Sequence, residues 1–275
     1  MKTKTALLLC CIFYSATAAT QSLRYSTALP YIGLEAYSKQ QVSPFSFTGN
    51  PAALAQVKHA GFGLYGERRF MLSPLASYCL AAAFPTRLGN FGLQFNYAGY
   101  KNFNENRIGL AYARSLGKKF DIGIQFNYYG YRIPGYGNAS TINFEAGALL
   151  HFTDQLHFGI HIYNPVAGKL GKGSKEKLAA VYKAGLGYDA SDHFFVSASV
   201  TKEEDKPVSV MAGIQYHFSG LFFVRTGIVS ESTVFFAGAG VRWKKLRVDI
   251  SVSHHPQLGF SPGILLIMNL KENTK

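Results

Sequence analysis

The side chains with the most chemical promise in this sequence are closely spaced histidines. His157 and His161 alternate with Phe158, Ile160 and Ile162, and His151 lies shortly upstream. Two or three imidazoles can hold a metal ion. No carboxylate or thiolate stands beside them at ligand spacing, so solvated polar side chains are expected. His254 and His255, followed by Pro256, read the same way. Gly61-Phe62-Gly63-Leu64-Tyr65-Gly66 has the G-x-G-x-x-G form of a dinucleotide loop. Such a loop must turn into a helix, whereas these residues alternate as a strand does, and the glycines are expected to relieve crowding where backbones approach. No G-x-S-x-G elbow, H-E-x-x-H pair or phosphate loop occurs. Neither catalysis, nor a cofactor, nor a bound metal is expected.

These residues sit in a chain dominated by period-two alternation, the mark of strands with one apolar face. Phe120, Ile122, Ile124, Phe126 and Tyr128 share one side, with Asp121, Gly123, Gln125 and Asn127 on the other. Phe91, Leu93, Phe95 and Tyr97 oppose Asn90, Gly92, Gln94 and Asn96 in the same way. Strands are predicted near 59–68, 75–84, 88–99, 106–115, 119–132, 140–152, 155–163 and 178–189, then 192–201, 206–217, 220–229, 233–243, 245–254 and 260–270. That is an even number of segments, most with about the 9–11 residues a tilted strand needs to cross a bilayer. The second face is rich in Gly, Asn, Gln, Ser and His, which suits a crowded polar lumen better than open solvent. Asp121, Gln125, Asn127, Glu145, His157, His161, Lys183, Arg247 and Asp249 fall on that predicted inward face. A charge on the lipid face instead would cost roughly 2–4 kcal/mol near the midplane. Every second connection is short, such as Gly117-Lys118 and Lys244-Lys245, and the intervening ones are mostly longer. This parity points to one all-β domain, a closed antiparallel transmembrane β-barrel of fourteen strands with its short turns in the periplasm.

Composition agrees. The 275 residues include 22 Phe, 17 Tyr and 28 Gly but only 16% charged side chains, below the roughly 25% of soluble domains. Residues 1–19 read as an export signal, with Lys2 and Lys4 before an apolar run and small residues at Ala16-Thr17-Ala18. Its removal leaves Cys79 as the one cysteine, so no intramolecular disulfide can form. The net charge of +13 comes without a compact Lys/Arg block. It is expected to face lipid and lipopolysaccharide phosphates at the barrel rims, not nucleic acid. Residues 20–57 form a leader or small plug ahead of the barrel, which takes in 58–275.

The leader holds the most informative short motif, Gly49-Asn50-Pro51-Ala52-Ala53-Leu54-Ala55. Asn50 can cap a helical turn whose first position suits Pro51. The motif resembles the N-P-A-(A/G)-L-A signature of FadL-type outer-membrane transporters, and more closely that of the PorV/PorQ branch of Bacteroidota. Arg69-Phe70, Pro85, Leu110 to Gly117 and Tyr163-Asn164-Pro165 extend the likeness. The resemblance implies a fourteen-stranded, non-enzymatic barrel. A PorV/PorQ-like member would be an accessory of type IX secretion that binds a secreted or surface protein. A FadL-like member would be a passive channel for hydrophobic or small solutes. For the accessory role, Lys169, Lys172, Lys175 and Lys177 in the longest predicted extracellular loop are the candidate contact with an acidic partner.

Overall fold

The structure, a computed structural model, describes residues 30–135, 137–166, 178–218 and 220–271. The export segment and the four loop lysines lie outside these residues. Fourteen strands follow one another: β1 Gly61–Arg68, β2 Ala76–Thr86, β3 Gly89–Tyr100, β4 Phe103–Ser115, β5 Phe120–Ile133, β6 Gly137–His151 and β7 Leu156–Tyr163. Then come β8 Val181–Asp189, β9 Phe194–Glu203, β10 Ser209–His217, β11 Phe222–Val229, β12 Val234–Trp243, β13 Leu246–His255 and β14 Gly259–Asn269. Each pairs antiparallel with its sequence neighbours, and β1 closes on β14 from Gly61↔Asn269 to Glu67↔Gly263. Closure leaves no sheet edge, so strand backbone groups meet their partners without water. None of the helices among the described residues is long and apolar enough to cross a membrane.

The alternation sorts side chains between two environments. Phe62, Leu64, Leu93, Ile122, Phe126, Leu186, Ile214, Ile250 and Leu266 project outward and are exposed, while Tyr65, Gln94, Gln125, Gln215 and Asp249 on neighbouring positions are buried. An exposed apolar belt around a closed barrel is the face that lipid covers.

Two predicted loops are instead strand. Tyr100 pairs with Phe103, Asn104, Glu105 and Asn106 pair with Arg132, Tyr131 and Gly130, and Ile133 pairs with Gly137, so β3 to β6 reach further than expected. Asn104, Glu105 and Asn106 bring polar side chains to both faces, and the ladder carries on past the end of the apolar pattern. Conversely β10 begins at Ser209, because Pro207 has no N–H to give a ladder.

We call proximal the end where β1 starts and β14 finishes. Residues 30–57 lie inside the barrel there as an inner segment made of short helical turns, Pro30–Gly33, Leu34–Tyr37, Ser46–Thr48 and Pro51–Gln56. Tyr31, Leu34, Tyr37, Phe45, Phe47 and Leu54 within it are wholly buried.

Candidate functional site

The interior is built where the inner segment meets the inward strand faces. Asn50 caps the turn Pro51–Gln56: its backbone is extended (φ −159°, ψ 118°) and its Oδ1 accepts from the Ala52 N–H at 3.0 Å. The turn is 3₁₀, not α. The Asn50 amide also points away from the turn, donating to the Ile160 carbonyl at 3.2 Å and the Ala148 carbonyl at 3.4 Å. At the other end of the turn, the Asn90 amide of β3 donates to the Leu54 carbonyl at 2.7 Å and the Val57 carbonyl at 2.8 Å. Side chains thus satisfy carbonyls that a helix end leaves open. Gly49, Pro51, Ala52, Ala53 and Leu54 accompany Asn50, and Ala52, Ala53 and Leu54 are wholly buried.

Close approach explains two glycines on the wall. A side chain at Gly123 would collide with the Pro51 backbone, and one at Gly147 with the Asn50 amide. Gly63 faces the Phe45 ring, while Gly66 faces outward by Tyr78. The G-x-G-x-x-G run is therefore paired strand, with no helix to receive a phosphate.

Three buried polar clusters surround the segment. On the β11–β13 side, Glu35 accepts from Arg225 and from Arg247 Nη1 at 2.7 Å. Arg247 also grips Asp249 at 2.6 Å, and the Tyr31 hydroxyl donates to Asp249 at 3.2 Å. Burial alone would push the Glu35 carboxyl up, but the two guanidiniums outweigh it and hold it down at about 2. Burial pushes the Tyr37 hydroxyl up, so it stays neutral.

The second cluster fills the β3–β7 side. Glu145 accepts from Gln125 at 2.8 Å and Asn127 at 2.9 Å, pairs with Arg107 at 3.3 Å, and meets His161 at 2.7 Å. Gln94 receives Arg107 at 2.8 Å and Gln125 at 3.1 Å.

The third cluster is a chain at the proximal end. His151 and His157 face each other through Nδ1 at 2.9 Å, with Nε2 of His151 on Asp121 at 2.7 Å and Nε2 of His157 on Asp189 at 3.2 Å. Gln56 of the inner segment donates to Asp121, and Ser38 to Asp189 at 2.7 Å.

Asp121, Gln125, Asn127, Glu145, His157, Arg247 and Asp249 are thus buried on inward faces, and His161 and Lys183 are half-buried there. The histidines expected to be solvated are enclosed instead, with carboxylates that approach from other strands. No group of three His, Cys, Asp or Glu side chains converges as a metal site among the described residues. Sequence reasoning missed Glu35, Gln56, Arg107, Asp189 and Arg225. The parity of Arg107, Asp189 and Arg225 within their strands marks them as inward, whereas Glu35 and Gln56 carry no such signal.

Near the distal end one small apolar cluster interrupts the polar lining. Tyr129, Tyr163 and Leu178 form a buried cluster against which Tyr131 and Val181 pack. Asn164 holds its base, donating from its amide to the Leu178 carbonyl.

No protein-family model matches this chain. No curated protein matches it in sequence either. Solved structures match it in shape. The Pseudomonas putida toluene transporter TodX superposes with a TM-score of 0.63 at 10% identity, over 84% of this chain and 95% of that one. A Pseudomonas aeruginosa FadL homologue gives 0.55 at 14% identity, over 82% and 93%. A TodX mutant described as a monoaromatic hydrocarbon channel gives 0.60 at 11%. At such identities the likeness is one of architecture, and the chain has the fold of these outer-membrane channel barrels.

Proposed function

We propose that this protein is a passive channel of a bacterial outer membrane for small hydrophobic solutes, with the inner segment as its internal stopper. The observation that carries this reading is the buried segment of residues 30–57, which fills the proximal lumen so that a solute can pass only where it yields. An aromatic or aliphatic solute entering at the distal mouth would meet the apolar Tyr129–Tyr163–Leu178 cluster, whose side chains are buried against one another. Names of the shape-related barrels, a toluene transporter and a monoaromatic hydrocarbon channel, support the same solute class. Orientation follows the general pattern of such barrels, with the termini periplasmic and the longer connections facing lipopolysaccharide. The test is uptake of labelled toluene by intact cells with a complete lipopolysaccharide layer, with and without the protein. Equal uptake in both overturns the reading.

A secretion-accessory role stands second. It is favoured by the likeness of Asn50 to Ala55 to the PorV/PorQ signature, and it would place an acidic secreted or surface protein against Lys169, Lys172, Lys175 and Lys177. Recovery of one such partner with the tagged barrel, lost when the four lysines become Gln, would favour it over the channel.

A further inference from the structure

We propose that the Asp121–His151–His157–Asp189 chain is a proton-operated latch on the inner segment, for which the Glu35 cluster serves as a fixed pivot. The proposal rests on the channel reading for its purpose, though not for its geometry.

Proton counting carries the argument. Both Nε2 atoms face carboxylates, at 2.7 Å from Asp121 and 3.2 Å from Asp189, so both must carry hydrogen. The Nδ1 atoms lie 2.9 Å apart and need a single hydrogen between them. The geometry therefore fits one imidazolium and one neutral imidazole. A second proton would set two N–H donors and two cations face to face. Loss of the shared proton would oppose two lone pairs. Only the singly protonated pair links the rings, and the rings tilt edge to face with centroids 4.7 Å apart. A shared proton, not a metal ion, is the appropriate bridge, because no third ligand of the usual kind converges there among the described residues.

The chain reaches the inner segment at both ends. Ser38 and the Lys39 N–H donate to Asp189 at 2.7 and 3.0 Å, and Gln56 donates to Asp121. The charged or titratable groups facing it are Asp121 from β5, His151 from β6, His157 from β7 and Asp189 from β8. Lys39 of the segment and Asp154 of the β6–β7 turn pair at 4.0 Å at the open rim. The Tyr37 ring lies against Gly159 and Gly185 with the Lys183 ammonium 5.8 Å from its centre, and its hydroxyl stays neutral. None of these offers a replacement for the broken His–His bond.

The opposite anchor does not respond in the same range. Arg225 and Arg247 stay charged at any working pH, and Glu35 is held at about 2. A second proton on the His151–His157 pair therefore breaks the bond between the rings and loosens one side of the segment, while the other side stays seated.

Hydrogen exchange of the full chain in lipid vesicles tests this, at about pH 7.5 and about pH 5 with intrinsic rates corrected. The amides of residues 50–57 should lose about tenfold protection at the lower pH, while residues 31–37 change little. In His151→Gln and His157→Gln the protection of 50–57 should be low at both pH values. Should either fail to fold, Asp189→Asn cuts the same chain. Unchanged protection in the native protein, or a pH response that survives in the variants, overturns the latch. Toluene uptake measured alongside separates the two readings. An exchange response without uptake removes the channel and keeps the latch, and uptake without an exchange response does the reverse.

Discussion

Arg247 on β13 places Nη1 2.7 Å from the Glu35 carboxylate, joining residues 212 positions apart in sequence. Arg225 approaches the same oxygen from β11, stacked between the Tyr31 and Phe223 rings at 5.0 and 5.1 Å. Two strands and the inner segment thus share one buried carboxylate. Without it Arg225 would lack a carboxylate partner and Arg247 would keep only Asp249, and the segment cannot leave the lumen without exposing that imbalance.

Glu35→Gln should therefore destabilise the folded protein by about 3–5 kcal/mol, the cost of removing one partner from a buried ion cluster. Denaturant melts in detergent measure it. The pH sign follows from the direction of the shift. A carboxyl lowered to about 2 contributes stability that is complete above its ordinary value of 4.5 and lost as pH falls through about 2. Between about pH 5 and 8 this anchor's contribution should be full and independent of pH, so Glu35→Gln should shift all points in that window alike.

Asn50 serves the turn and the wall with different atoms, so two substitutions separate its roles. Asn50→Asp keeps the cap to the Ala52 N–H but aims an oxygen at the Ala148 and Ile160 carbonyls. Asn50→Ala loses both, at about 1 kcal/mol for the cap. The Asp variant should be the more damaging to segment protection because it adds repulsion. If Ala proves worse, the wall bonds contribute nothing.

Gly123→Ala should loosen the inner segment and spare the barrel. Alanine suits a strand, yet its Cβ would collide with the Pro51 backbone. Outward Ala146→Val, two strand positions short of Ala148 on β6, meets lipid and should change nothing. Proteolysis of residues 30–57 in vesicles reads the first effect, and heat stability of the barrel the second. Equal behaviour of the two variants would mean the segment does not press on the wall.

How far the sequence reached can be judged from particular residues. Phe120 to Tyr128 displayed the alternation openly, because strand geometry sends successive side chains to opposite faces whatever else they touch. The closed fourteen-stranded barrel followed from repeats of that pattern. Gln94 and Gln125 show the limit. Parity places them inside, but only the structure shows them packed on Arg107 and Glu145. Glu35 gave no signal at all, since its leader has no period and its partners lie in β11 and β13. The histidines misled because carboxylates distant in sequence, Asp121 and Asp189, were brought to them by strand pairing.

That crowding alters what arginine substitutions should do. Ile124→Arg, on the lipid face, should cost about 2–4 kcal/mol near the midplane and impair assembly. Gln125→Arg would set a second guanidinium beside Arg107 and take an amide away from Glu145, so it too should lower stability, although it faces the lumen. Thr201, half-buried on the inner face of β9 near the distal end, has Lys183 directly opposite and Glu203 two positions on, so Arg there should cost less than at Ile124 but not nothing. Membrane-inserted yield and melting temperature rank the three, and a Thr201→Arg variant as damaged as Ile124→Arg would contradict the assigned faces.

The distal cluster offers the sharpest test of solute class. Leu178 packs on Tyr129 and Tyr163 just before β8, outside the hydrogen-bonded ladders, and its carbonyl rather than its side chain meets Asn164. Leu178→Asn is close in size and leaves that backbone bond in place, but presents an amide where an apolar solute would rest. Losing a buried apolar side chain's worth of contact corresponds to about 1.5–3 kcal/mol of solute affinity, or roughly a tenfold or greater fall in uptake at low concentration. Toluene uptake at low concentration should fall while the barrel still assembles, with a local loss of packing stability, and uptake at saturating concentration should recover, because the entry site is what weakens. Unaltered uptake at low concentration would show that solute does not rest on this cluster, and a loss that persists at saturation would place the effect in the barrel instead of the mouth.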